Sequence, residues 1–137
     1  MNRATPILLL ALALLPLLTA CPDDPYPDKV RLYQTSGAPP SLTASLDNDP
    51  DAPRLDLTVG VAMAVRCWES NINDCEQVTV TMDPPDVLAV HDVDVLSGYP
   101  QHAFALVGLK KGSGVLTVKT PKATGYYTVF VEPPPAP

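Results

Sequence analysis

From residue 54 onward, apolar and polar positions alternate with a period of two, broken at short intervals by glycine or proline. Leu55-Asp56-Leu57-Thr58-Val59 alternates, and Gly60 punctuates it. In the next run Val61, Met63, Val65 and Cys67 share one side, with Ala62, Ala64 and Arg66 on the other. Val78, Val80 and Met82 alternate with Thr79 and Thr81, and Pro84-Pro85 turns the chain into Val87-Leu88-Ala89-Val90. Phe104 and Leu106 mark a further strand, Gly112-Ser113-Gly114 a turn into Val115-Leu116-Thr117-Val118, and Gly125 opens Tyr126-Tyr127-Thr128-Val129-Phe130-Val131. Successive side chains of a strand point to opposite faces, so this period marks half-buried strands, and no stretch after residue 21 carries a helical period. Six or seven short strands with turn residues between them predict an all-β antiparallel sandwich over residues 54–132.

The flanks read differently. Residues 22–53 hold seven prolines and six aspartates without sustained periodicity. Such a stretch lacks the apolar surface that offsets ordering entropy, so residues 21–53 are expected to form an extended acidic tether. One island inside it, Val30-Arg31-Leu32-Tyr33, alternates and can pair as an edge strand. Residues 133–137, Pro-Pro-Pro-Ala-Pro, cannot donate ladder hydrogen bonds and should stop the last strand.

At the other extreme, Arg3 precedes an apolar run from Ile7 to Leu18, interrupted by Pro16. A membrane span needs about 20 apolar residues, so this run is too short. A charged start, an apolar middle and small residues at the end describe a secretory signal over residues 1–20. Leu18-Thr19-Ala20-Cys21 supplies an aliphatic, a hydroxyl and a tiny residue ahead of a cysteine, the pattern of a bacterial lipobox. Cys21 is then expected to carry a thioether-linked diglyceride, usually with a further acyl chain such as palmitate on its freed amine. Two or more chains hold a protein stably on a membrane. Pro22, rather than an aspartate, follows the cysteine, which favours the outer membrane.

Once Arg3 leaves with the signal, eight Lys and Arg remain against fifteen Asp and Glu, a net charge of −7. No basic stripe is left to neutralise phosphates, so nucleic acid is excluded as a partner. Cys67 and Cys75 form an even pair in an exported chain, which argues for a disulfide. Seven residues lie between them, not the two of a redox or zinc CxxC pair. A loop this short is worth roughly 2.5 kcal/mol in the chain-entropy account.

Several runs together resemble the bacterial Ig-like domain, group 2. They are Leu57-Thr58-Val59-Gly60 with the strand after it, and Val78-Thr79-Val80-Thr81 running into Asp83-Pro84-Pro85-Asp86-Val87-Leu88-Ala89-Val90. Ala105 to Val118, with Gly108-Leu109-Lys110-Lys111-Gly112 at its centre, is similar to the glycine-bracketed turn of that family, and Tyr127 to Val131 to its last strand. The resemblance covers roughly residues 54–132. It implies an Ig-like sandwich of about seven strands used as a spacer or adhesive module, and it supplies no catalytic residues.

Loops gather at the ends of such a sandwich. Residues 68–76, 91–101 and 119–125 are expected at one end, bringing together Trp68, Asn71, Asn73, Tyr99 and Lys122 as a candidate binding tip. Tryptophan and tyrosine supply contact area at low entropic cost. The alternative is that Trp68 caps the core and the disulfide replaces missing burial. Asp47-Asn48-Asp49-Pro50-Asp51 opens like a calcium loop but lacks its glycine and its bidentate glutamate, since Thr58 stands at position twelve. His91 beside Asp92 and Asp94 falls on the outward side of its strand. No G-x-S-x-G elbow or comparable frame surrounds any Ser or His. The sequence therefore predicts no enzyme, no metal and no cofactor. It predicts an envelope lipoprotein that binds a protein or a glycan, or alternatively a passive spacer or accessory subunit of an envelope assembly.

Overall fold

A computed structural model describes residues 29–69, 73–75, 77–93 and 102–136. The signal segment and Cys21 lie outside the described residues, as do Asn71 and Tyr99. Ten strands follow one another: β1 (Val30–Gln34), β2 (Ala44–Asp47), β3 (Arg54–Thr58), β4 (Ala62–Glu69), β5 (Asn73–Asp74), β6 (Thr79–Asp83), β7 (Leu88–Val93), β8 (Ala103–Gly108), β9 (Gly112–Lys119) and β10 (Thr124–Glu132). One sheet runs β1-β4-β8-β7, with β5 also on β4. The other runs β2-β3-β10-β9-β6.

The alternation sets what each strand buries. Leu32, Met63, Val65, Leu88 and Leu106 point inward from the first sheet, and Leu55, Leu57, Leu116, Val118, Tyr127, Val129 and Val131 from the second. Full burial of one such aliphatic side chain is worth about 1.5–3 kcal/mol, so this layer is the main source of stability. Cys67 and Cys75 are bonded within the same layer, their Cα atoms 5.6 Å apart.

Three expectations change. The sandwich begins at Val30 rather than at residue 54, because β1 and β2 belong to its sheets. Val30 and Leu32 are buried, Ala44 and Leu46 pack on the core, and Pro39-Pro40 falls in the connection between the two strands. The alternating island Val30–Tyr33 does pair as an edge strand, as β1, whereas the acidic, proline-rich composition of residues 21–53 hides β2, which has only two inward apolar positions. Second, ten strands replace about seven for the same reason, with the two-residue β5 added beside the disulfide. Third, the pairing is not wholly antiparallel, as β10 runs parallel to β3 in the register Thr128↔Arg54 through Glu132↔Thr58.

The open edge of β1 is closed by side chains. Leu32 N–H donates to Tyr127 Oη at 2.8 Å, the Tyr127 hydroxyl donates to Asn48 Oδ1 at 2.8 Å, and Asn48 Nδ2 donates to Leu32 O at 2.9 Å. Farther along, Gln34 Nε2 donates to Ala44 O at 2.9 Å, and Leu46 N–H donates to Gln34 Oε1 at 3.2 Å. Unpaired strand edges invite association, and this seam uses two amides and a phenol to prevent it.

Candidate functional site

Register decides which residues share each end of the sandwich. Val30 pairs with Glu69, so the chain comes into β1 at the end where β4 finishes. Ala103, the start of β8, pairs with Val93, the finish of β7, and Lys119 pairs with Thr124 across the 120–123 turn. Glu69, which is buried, accepts a hydrogen bond from Thr120 Oγ1 and ties β4 to that turn. The described strand ends that flank the three predicted loops therefore lie at one end, here called the near end because the chain arrives there. The far end carries the connections 36–43, 59–61, 84–87 and 109–111, including the Lys110-Lys111 turn.

Of the predicted tip, Trp68, Asn73 and Lys122 fall among the described residues. Trp68 lies neither in a loop nor in the core. It stands in β4, on the side opposite Val65 and Cys67, and faces outward from the first sheet. Its ring meets Tyr33 edge-on, with centroids 5.4 Å apart and planes at 60°. Asn73 pairs through its backbone with Glu69. Lys122 is exposed in the 120–123 turn. His91 is exposed on the outward side of β7, as its parity required. Asp47 and Asp49 cap the connection after β2, accepting from the backbone N–H of Asp49 and Asp51 at 3.0 and 2.9 Å. Among the described residues no cluster of three His, Cys, Asp or Glu is arranged to hold a metal.

The edge strand β1 adds residues to this end. Arg31 lies directly across from Trp68, and Tyr33 directly across from Arg66. Opposite residues of an antiparallel pair have Cβ atoms about 5 Å apart, so guanidinium and ring alternate in a two-by-two block on the outer face. Ala64, Ala103 and Ala105 continue that face beyond the block as a flat floor of small side chains. Beside it, where the starts of β1 and β10 approach, a groove of about 320 Å³ is lined by Lys29, Arg31, Asn48, Asp49, Thr124 and Tyr126, among others. Gly125 makes the approach possible, since a Cβ there would stand 2.9 Å from Val30 O. Tyr126 is 60% exposed on the groove wall and Tyr33 is 43% exposed. Among the described residues, the ion pairs Arg54–Asp56, Lys110–Asp86 and Lys111–Glu132 leave out Lys29, Arg31 and Lys122.

Burial raises the ionisation of the Tyr127 phenol above its ordinary value, partly offset by the bond from Leu32 N–H. The phenol therefore stays protonated and keeps its seam. At the far end, the Lys110 ammonium bonded to Asp86 holds that carboxyl below its ordinary range. Arg31, Lys29 and Tyr126 were missed by the tip prediction because the tether reading removed the first two from the fold. The alternation around Arg31 was the available signal.

No family model matches the chain, and no curated protein matches it. Among solved structures it is similar to the S-layer protein SbsC domains 4 and 5, at 19% identity and a TM-score of 0.47, over 66% of this chain and 52% of that one. It is also similar to S-layer protein rSbsC(31-844), at 19% identity and a TM-score of 0.45, over 66% of this chain and 13% of that one. The match thus spans about half the length of the first structure and a small part of the second.

Proposed function

We propose that this protein is a lipid-anchored lipoprotein of the bacterial cell envelope, whose Ig-like sandwich acts as a non-catalytic binding module of the bacterial Ig-like, group 2, kind. The observation that carries the reading is the lipobox Leu18-Thr19-Ala20-Cys21 standing eight peptide units ahead of Lys29. Eight units fully extended reach at most about 29 Å. The tether is therefore short, and the near end of the sandwich is held close to the lipid while the far end points away. Cations and aromatics that make no ion pair in the fold gather at the held end, which supports recognition of something close to the membrane surface.

Labelling cells with a palmitate analogue tests the anchor. The wild-type chain should take up label and fractionate with membranes, and Cys21→Ala should do neither. Label on Cys21→Ala, or none on the wild type, would overturn the anchoring. Protease applied to intact cells, with a periplasmic protein as leakage control, then reports whether the domain faces outward.

A further inference from the structure

We infer that the near end of the sandwich binds a polysaccharide whose sugars carry carboxylates, along a track running from Tyr126 over Lys29 and Arg31 to Trp68 and Tyr33. The inference rests on the binding-module reading and names its ligand class. Three kinds of observation converge on it.

The first is composition at one place. In a chain of net charge −6, two cations that take part in none of the described ion pairs, Lys29 and Arg31, line one groove with Tyr126, the most exposed aromatic among the described residues. The second is alternation. Arg31 is common to the groove and to the outer face, where it stands across from Trp68, the chain's single tryptophan. Arg31 thus links Tyr126, which shares the groove with it, to Trp68, which stands across from it in the first sheet. The third is shape. The alanine floor beyond Trp68 carries no long side chain, so an extended polymer can lie on it, and the groove has the volume of a small ligand site.

Each group has a matching partner in an acidic sugar. The C–H face of a pyranose is polarised positive and meets the negative face of an aromatic ring. A carboxylate accepts two parallel hydrogen bonds from one guanidinium, the charge-assisted geometry that arginine suits better than lysine. Nucleic acid is the competing class, since its bases also stack on aromatic rings, and the planar carboxylate that matches the Arg31 fork is what favours the acidic sugar.

The test uses the full chain in detergent micelles. Emission from Trp68 is the readout, since no other tryptophan contributes. Polygalacturonate and alginate are the probes, fully methyl-esterified polygalacturonate is the uncharged match, and a single-stranded oligonucleotide is the competing class. Either acid polymer should shift the emission, with affinity falling as salt is added. The ester should bind about tenfold more weakly, and Arg31→Gln or Tyr126→Ala should each lose about tenfold, with melting temperatures unchanged. Lys110→Gln, at the far end, should bind as the wild type does. Silence towards both acid polymers, equal binding of the ester, tighter binding of the oligonucleotide, or indifference to both near-end variants would overturn the inference. Palmitate labelling is unaffected by any of these outcomes, so a wrong ligand class and a wrong anchor are told apart.

Discussion

The two ends of this sandwich differ in how their lysines are placed, although both bring backbones close. At the far end both described lysines have an acidic partner. Lys110 pairs with Asp86 and Lys111 with Glu132. Gly60 takes a φ of +81° in its turn, and a Cβ on Gly108 would stand 2.8 Å from Thr58 O. At the near end Lys29, Arg31, Lys122 and Tyr126 are exposed or half-exposed, and the three cations take part in none of the described ion pairs. The far end is a fixed closure. The near end is a surface in reserve, and in the proposed lipoprotein it is this surface, not the closure, that would face the lipid.

Substitutions should separate the two ends, and the largest effect belongs to the far half. Gly114→Val places a Cβ 2.3 Å from Asp83 O and 2.6 Å from Met82 Cε. The first clash is with backbone, so the strands must part, at a cost of about 3 kcal/mol or more. Denaturant unfolding should show a large fall in midpoint, and a wild-type curve would mean that the crowding is not there. Replacing Cys67 and Cys75 together with serine should lower stability by about 2.5 kcal/mol through the freed loop. Unfolding of the wild type with and without a thiol reductant reads the same difference.

The seam comes next. Tyr127→Phe leaves the buried Leu32 N–H without its acceptor and should cost about 1–2 kcal/mol. The sign with pH follows from the raised ionisation. The folded phenol prefers its neutral form, so its contribution is whole below the ordinary value of 10.0. It is lost as pH climbs through the higher folded value. Wild-type stability should fall above about pH 10, and Tyr127→Phe should flatten that limb. A limb identical in both proteins would assign the alkaline loss to other groups. Trp68→Ala should cost only about 1 kcal/mol, because it removes an edge-on contact with Tyr33 and no core packing. Lys110→Gln should leave the unfolding midpoint unchanged, as loss of an exposed ion pair does.

Period-two alternation made most of the fold legible. Leu55–Thr58, Ala62–Cys67, Val115–Val118 and Tyr126–Val131 lie in β3, β4, β9 and β10, and the cysteine pair is bonded, whereas Gly112-Ser113-Gly114, expected as a turn, opens β9. Alternation marked Val30-Arg31-Leu32-Tyr33 as an edge strand but could not join it to the sandwich, since seven prolines and six aspartates in residues 22–53 outweighed two buried positions. The strand is held largely from outside, by Tyr127 and Asn48 reaching its backbone, and nothing local in sequence announces contacts across 95 and 16 positions. The site suffered from the same blindness. Trp68 falls in β4 rather than in a loop because that strand runs on to Glu69. The alternation of Val30 to Tyr33 marks an edge strand, but nothing local in sequence shows that Arg31 stands across from Trp68.

Orientation on the membrane is the claim on which the account turns. Lys122→Cys and Lys110→Cys, each carrying a donor dye on the new thiol, put a probe at the near and the far end of the mature lipoprotein. Reconstituted into vesicles with an acceptor on the lipid headgroups, the label at residue 122 should transfer energy more efficiently than the label at residue 110. Equal transfer from both positions, or stronger transfer from residue 110, would contradict a near end held against the membrane.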